Sequence, residues 1–237
     1  MSDKSSIKVT EIFYSVQGEG INAGMPSVFV RLFGCNLSCS WCDTKYAWHR
    51  DFARFDKMSA RQIAEQICHY GGTLGKNIVF TGGEPALHQP AIRAIRAELL
   101  ARRDHFSLSS GDQFTFELET NGSRRIEDDF WNVINISPKL QNAEQTPYEI
   151  LAHCVPREHH HKTWWKFVVE HERDMDDILA LVKDHNIAPD RVLLMPQAQT
   201  RKELIAASPL VIELCKQYGF RFSPRLQVFV YCDKAGV

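Results

Sequence analysis

Short runs of β-branched and aromatic residues alternate with segments of helical periodicity along most of this 237-residue chain. No other feature constrains the fold as much. The alternation is that of βα units, in which strands pair in parallel and helices cover the sheet. The runs that read as strands are 27–33, 77–81, 114–119, 132–137, 165–169, 191–195 and 226–230. Those that read as helices are 59–69, with Ser59 as N-cap, then 89–102, 174–185 and 200–218. Six or seven strands fall short of the eight of a complete barrel, so the pattern predicts an α/β fold built as a partial (β/α)6 barrel. A doubly wound open sheet is the alternative. The polar stretches 102–113 and 156–163 read as surface loops, and the run His159, His160, His161 reads as a solvated part of the second. Three adjacent histidines cannot all face one metal ion on a regular element.

A hydrophobic content of 44% over this length suits one sizeable core, and a single domain over 1–237 is expected. The formal net charge of -1 gives no field that would draw the protein to nucleic acid or to an anionic membrane surface, which points to a small-molecule substrate instead. No stretch approaches the ~18 consecutive apolar residues of a membrane span, and the polar start of the chain lacks the apolar core of a secretory signal. A cytoplasmic protein is expected. In that reducing compartment an odd count of seven cysteines reads as thiols kept for metal binding or catalysis. Cys68, Cys154, Cys215 and Cys232 are scattered among apolar neighbours and read as core or surface thiols.

The other three sit together. Directly after the first strong strand comes Gly34-Cys35-Asn36-Leu37-Ser38-Cys39-Ser40-Trp41-Cys42, a CxxxCxxC loop. Three thiolates on one loop can reach three corners of a 4Fe-4S cubane and leave the fourth iron open. An open iron can chelate the amino and carboxylate groups of S-adenosylmethionine (SAM) and so bring its sulfonium beside an electron source. A structural zinc site would close all four positions with Cys or His, and no fourth ligand lies near this loop in sequence.

The loop, with an aromatic residue just before its third cysteine, resembles the hallmark of the radical SAM superfamily. Five further segments sharpen the likeness: Glu11-Ile12-Phe13-Tyr14-Ser15-Val16-Gln17-Gly18-Glu19-Gly20, Cys42-Asp43-Thr44, Thr81-Gly82-Gly83-Glu84-Pro85, Ser137-Pro138-Lys139 and Met195-Pro196-Gln197. Together they resemble the 7-carboxy-7-deazaguanine synthase family of queuosine and deazapurine biosynthesis, over most of the chain. The resemblance implies a partial barrel of the radical SAM type and a lyase that contracts the ring of 6-carboxy-5,6,7,8-tetrahydropterin with loss of ammonia. It implies that Cys35, Cys39 and Cys42 hold the 4Fe-4S cluster, and that Trp41, Asp43, Gly83, Ser137, Pro138, Lys139, Met195, Pro196, Gln197 and Ala198 address SAM. Val16, Gln17, Gly18, Arg31 and Thr81 would line the substrate. Thr44 would be the one protein ligand of a Mg2+ ion, although a hard cation prefers a carboxylate such as Asp43. The same resemblance implies a homodimer and a reducing partner such as flavodoxin. A radical SAM activase of a partner protein and a non-catalytic iron-sulfur or zinc module are the competing readings.

Some of these residues also speak for themselves. Arg31 interrupts the apolar run Val28-Phe29-Val30-Arg31-Leu32-Phe33, where a guanidinium needs an anion close by. That anion is either a structural partner such as Glu19 or a substrate carboxylate held bidentately. The two glycines of Thr81-Gly82-Gly83 let backbone approach a ligand or simply form a tight strand-to-helix turn. Glu119-Thr120-Asn121-Gly122 closes a strand and reads either as a ribose contact or as a plain turn. Gln227 stands where the family leads one to look for a histidine, which puts the substrate contacts of that end in doubt.

Overall fold

The computed structural model describes residues 6–71, 77–102, 114–144 and 157–232. Its strands are β1 (Ile7–Val16), β2 (Pro26–Leu32), β3 (Asp56–Met58), β4 (Asn77–Gly82), β5 (Thr115–Thr120), β6 (Val133–Ile136), β7 (Thr163–Val169), β8 (Val192–Pro196) and β9 (Arg221–Phe222). Its α-helices are α1 (Ala60–Gly71), α2 (Gln89–Ala101), α3 (Asp174–Asp184), α4 (Arg201–Tyr218) and α5 (Leu226–Tyr231). The strands form one sheet in the order β3-β1-β2-β4-β5-β6-β7-β8-β9. From β2 to β9 every neighbouring pair is parallel, while β1 runs antiparallel to both β2 and β3. The order runs from β3 to β9 without closing on itself, as a partial barrel requires.

Along the parallel strands the side chains alternate between two environments. Val28, Val30, Leu32, Ile78, Phe80, Phe116, Leu118, Ile134 and Ile136 join Ile63, Ile67, Ile92, Ile95 and Leu99 of α1 and α2 in one buried cluster. Phe167, Val169, Val192 and Leu194 form a second with Met175 and Ile178 of α3 and Val211 and Leu214 of α4. The connection between β5 and β6 carries no helix. Ile126 and Trp131 fill that place, with Trp131 fully buried and set edge-on to Phe80 at 5.9 Å.

Six of the seven expected strands and all four expected helices are present. The segment 226–230 is the exception, because it forms helix α5 rather than a strand. Its β-branched and aromatic composition favours a strand, but tertiary contacts override that preference. The Leu226 amide donates to the Gly18 carbonyl at 2.9 Å and Phe229 N closes a helical turn on the Arg225 carbonyl, while Phe229 and Val230 stay exposed. Strand β1 was hidden because its alternation is broken by a register shift between Val9 and Glu11, and β3 and β9 are too short to show a period. Residues 157–162 of the expected second loop form a short 3-10 helix with His160 and His161 exposed. Residues 103–113, residue 156 and Cys154 lie outside the described residues, as does the side chain of His159. Cys215 is buried, Cys68 packs against the first cluster and Cys232 is exposed, as expected of structural thiols. No described helix is long and apolar enough to cross a membrane.

Candidate functional site

Most of the expected site residues lie at the carboxyl ends of the parallel strands, where open α/β sheets bind their ligands, whereas Val16, Gln17 and Gly18 lie where β1 passes the start of β2. The cysteine loop leaves β2 and is braced from several sides. Gly34 N donates to the Ala47 carbonyl at 2.8 Å, Glu84 N to the Gly34 carbonyl at 2.7 Å, and Ser40 N to the Ala143 carbonyl at 3.0 Å. The Trp41 indole donates to the Asn142 carbonyl at 3.0 Å, and Asn36 is held by Ser123 and Asn121. Segments following β4, β5 and β6 thus fix the loop that follows β2.

Both glycines after Thr81 serve this packing. A Cβ on Gly82, whose φ is +128°, would collide with the backbone of Leu32, and one on Gly83 would collide with the Gly34 carbonyl. Their smallness is therefore accounted for by contact with the end of β2 and the start of the cysteine loop. Glu84, next in line, is buried and accepts from Ala86 N at 2.8 Å, Thr120 Oγ1 at 2.7 Å and Asn121 N at 2.6 Å. Burial raises its pKa in spite of those donors.

The three thiols differ in surroundings. Burial pushes Cys35 up to about 11, with the Leu37 amide at 3.4 Å acting against it. Cys39 is raised by burial and opposed by the charge of Lys139. Cys42 Sγ lies 3.2 Å from the indole Nε1 of Trp48 and 3.6 Å from Thr44 Oγ1. Among the described residues no three His, Cys, Asp or Glu side chains are gathered to hold a single ion. A cubane asks for something else, one thiolate for each of three irons. The donor set fits that group: all-sulfur ligands on one braced loop, with N–H groups and an ammonium facing the sulfurs. Bound iron would supply the positive charge that favours the thiolate form of its ligands.

Lys139 projects from the segment after β6 over the Trp41 ring, 5.6 Å from its centroid, and donates to Ser137 Oγ at 2.9 Å. Burial lowers its pKa. Pro138 stands between them, and Ser137 N is tied to the Thr120 carbonyl at 2.7 Å. Met195 and Pro196 end β8 in buried positions, Gln197 N donates to the Val169 carbonyl at 2.8 Å, and Ala198 is fully buried.

Below this rim the inward face of the sheet carries charged and amide side chains beside apolar ones such as Phe29, Val79 and Leu193. Arg31 Nε donates to Glu11 Oε1 at 2.7 Å, and the Tyr46 hydroxyl donates to the same oxygen at 3.0 Å. The structural partner of Arg31 is thus Glu11 on the antiparallel neighbour β1, not Glu19. Thr81 Oγ1 donates to Glu119 at 2.7 Å. Gln17 Nε2 bridges Glu117 at 2.9 Å and Glu119 at 3.2 Å. Glu117 is fully buried and also accepts from Asn22 at 2.7 Å, Asn135 at 2.7 Å and Asn77 at 3.2 Å. Burial, and then the charge of Glu119, raise its pKa. Glu119 reaches Thr81 and Gln17 within the face, so a pure turn does not describe it.

Glu19 belongs to a different group, a seam that joins the loop after β1 to the C-terminal segment. It pairs with Lys166 Nζ at 2.5 Å and Arg225 Nε at 3.0 Å, and the Gln227 carboxamide donates to it at 2.6 Å. Burial alone would raise the Glu19 carboxyl, but Lys166 and Arg225 outweigh it and hold the group far below the usual carboxylate range. Arg225 also reaches the Ala198 carbonyl and the Asp43 carboxylate beside the cysteine loop. Gly20 N donates to Ser223 Oγ at 2.8 Å, and Gly18 backs directly onto Gln227. Lys166, Arg225 and Glu117 have no role assigned from the sequence. Lys166 could have been found, since it interrupts Trp164-Trp165-Lys166-Phe167-Val168 as Arg31 interrupts its strand.

Comparison with known proteins agrees with this geometry. The family model described as the radical SAM superfamily matches residues 30–196. A 7-carboxy-7-deazaguanine synthase of Pyrobaculum aerophilum is 33% identical over 240 residues, covering 100% of both chains. That of Escherichia coli K12 is 30% identical over 91% of this chain and 94% of its own. Among solved structures, QueE from Escherichia coli superposes with a TM-score of 0.68 at 25% identity over 92% of this chain and 93% of that one. Streptococcus suis SuiB bound to S-adenosylmethionine shares the fold, with a TM-score of 0.50 at 12% identity over 79% of this chain and 47% of that one. A 4Fe-4S cluster and SAM are what membership of this superfamily implies, and the chain belongs to the 7-carboxy-7-deazaguanine synthase family of radical SAM enzymes.

Proposed function

We propose that this protein is a radical SAM lyase that forms 7-carboxy-7-deazaguanine from 6-carboxy-5,6,7,8-tetrahydropterin, with ring contraction and loss of ammonia. The observation that carries the reading is the joining of two parts by one strand. Arg31 sits on the inward face of β2, four residues before Cys35 opens the thiol loop. An anion-binding group and a metal-binding group would therefore be held by one strand and the loop that follows it.

Cys35, Cys39 and Cys42 would hold the cluster. Trp41, Asp43, Gly83, Ser137 to Lys139 and Met195 to Ala198 would hold SAM. When bound, these groups supply a one-electron cleavage that yields a hydrogen-abstracting carbon radical. The chain's own task is to place and to shield. Glu11 engages Arg31 only through Nε, leaving the terminal nitrogens of the fork to grip a substrate carboxylate. Val16, Gln17 and Gly18 follow at the other end of β1, where Val16 pairs with Pro26, and Glu119 gathers Gln17 and Thr81 where the donor-rich edge of a pterin needs acceptors. Holding the substrate hydrogen beside the radical source lowers the entropic part of the barrier. Thr44 would be the ligand of Mg2+, and the pairing of Asp43 with Arg225 supports that choice by occupying the competing carboxylate. We assign homodimer formation and a flavodoxin-like reductant on family likeness.

The test is anaerobic incubation of the reconstituted protein with reductant, SAM and 6-carboxytetrahydropterin, followed by mass spectrometry. Formation of 7-carboxy-7-deazaguanine is expected, with loss of turnover when Cys35, Cys39 or Cys42 is replaced by Ala. Turnover that survives those substitutions, or wild-type protein that consumes SAM without a deazaguanine product, would overturn the reading.

A further inference from the structure

We infer that Trp48 is a positioning residue for the cluster, whose indole N–H donates to the Cys42 thiolate and sets how readily the cluster accepts its electron. This rests on the proposed role of the three cysteines and adds a residue that lies outside the CxxxCxxC loop.

The contact is built rather than incidental. Residues Lys45–Ala47 form a single 3-10 turn. Ala47 is fully buried, its amide donates to the Thr44 carbonyl at 2.9 Å, and its carbonyl receives the Gly34 amide from the start of the cysteine loop. Trp48 N closes the turn on the Lys45 carbonyl at 3.1 Å. The indole is thereby fixed to the same backbone that carries the thiols. Its Nε1 stands 3.2 Å from Cys42 Sγ, well within reach for a donor to sulfur. The His49 ring packs edge-on against it at 5.3 Å and holds the ring plane.

Its expected effect follows from charge. One-electron reduction makes the cluster and its thiolates more negative, so a donor to a ligating sulfur stabilises the reduced form more than the oxidised form and raises the potential. Cys35 takes a backbone donor from Leu37 and Cys39 faces the ammonium of Lys139. Cys42 takes a side-chain donor, which a single substitution can remove while the aromatic ring is kept.

The experiment is an electron paramagnetic resonance redox titration of reconstituted full-length protein without SAM, comparing wild type with Trp48→Phe. At a solution potential equal to the wild-type midpoint, the ratio of reduced to oxidised cluster should fall about tenfold in the variant, a shift of about 59 mV to more negative potential for a one-electron couple. Trp48→His, which keeps a ring N–H, should recover part of the shift, whereas a role in packing alone would not. An unchanged midpoint in Trp48→Phe overturns the inference. If that variant does not take up the cluster, pulsed resonance on wild-type protein with 15N-indole tryptophan decides: a nitrogen coupling to the cluster is expected, and its absence sinks the assignment. Lack of any cubane signal in wild-type protein would instead refute the reading of the three cysteines.

Discussion

The two faces of the parallel sheet are one residue apart along every strand, and at β4 and β5 they differ sharply in polarity. Phe80 and Leu118 face helices and lie in an unbroken apolar cluster, while their neighbours Thr81, Glu117 and Glu119 face inward among carboxylates and amides. The outward face gains from burial at roughly 25 cal/mol per Å2 of apolar surface whatever the inward face binds. The inward face must satisfy each polar group individually, because an unpaired one costs more than an apolar substitute would. Separating the tasks in this way lets a ligand pocket be polar without loosening the core. A one-residue slip in register would exchange the faces and destroy both.

The sharpest challenge to this division is Glu19, an inward group with a structural duty. Replacing it with Ala leaves Lys166 and Arg225 buried without their shared anion, and such a loss costs about 3–5 kcal/mol. Chemical denaturation should show it. The Glu19 carboxyl is depressed in the folded state, so its contribution is complete above the ordinary carboxylate value of 4.5 and is lost as pH falls below it. Wild type should therefore lose stability below pH 4.5 more steeply than Glu19→Ala. Equal slopes would mean that the seam does not join the loop after β1 to the C-terminal segment energetically. Next in size is Leu118→Ala on the outward face, expected to cost about 2–5 kcal/mol with turnover per folded molecule unchanged. A change in that turnover would show that the faces are not separable.

The sequence displays one face better than the other. Outward positions could be read from runs such as Val28 to Leu32 because apolar burial is additive and needs no particular partner. Inward positions could be read only where a charge broke an apolar run, as at Arg31, or where a spacing belongs to one chemistry, as in the three cysteines. The expectation of an anion beside Arg31 held, but Glu19 was the wrong one, because register between β1 and β2 places Glu11 opposite it. Sequence distance carries no information on such pairing. Arg225 and Glu19 are joined over a separation of 206 residues, and the segment that follows Arg225 is a helix although its composition favours a strand. The glycines of Thr81-Gly82-Gly83 were visible, while their use against Leu32 and Gly34 needed the fold.

Glu117 gives a smaller and differently signed effect. Four neutral amides surround it, and its folded pKa is raised, so the folded state holds its proton more tightly than the unfolded state above pH 4.5. The stability that this supplies is complete below 4.5 and is lost as pH rises through the folded value. Glu117→Gln places a fifth amide among four donors and should cost about 1–3 kcal/mol where wild type is protonated. The gap between variant and wild type should narrow as pH rises. A widening gap would show that the four donors hold the carboxylate ionised, and would reverse the electrostatic reading of the inward face.

The smallest effect lies on neither face. Thr200 caps α4, accepting from Glu203 N at 3.2 Å while the Glu203 carboxylate accepts from Thr200 N at 3.0 Å. Thr200→Ala should cost about 1 kcal/mol, since such caps satisfy amides that the helix cannot. For a chain of this size that corresponds to a drop of about 2–4 °C in melting temperature. The position nonetheless follows directly on the strand-end segment Met195 to Ala198, and Gln199 Nε2 touches the Trp41 carbonyl at 3.4 Å. If the cap only ends a helix, the affinity for SAM measured by calorimetry stays unchanged. If SAM binding weakens along with the melting temperature, the rim of the site borrows rigidity from the helical layer, and the separation of the two faces stops at the strand ends.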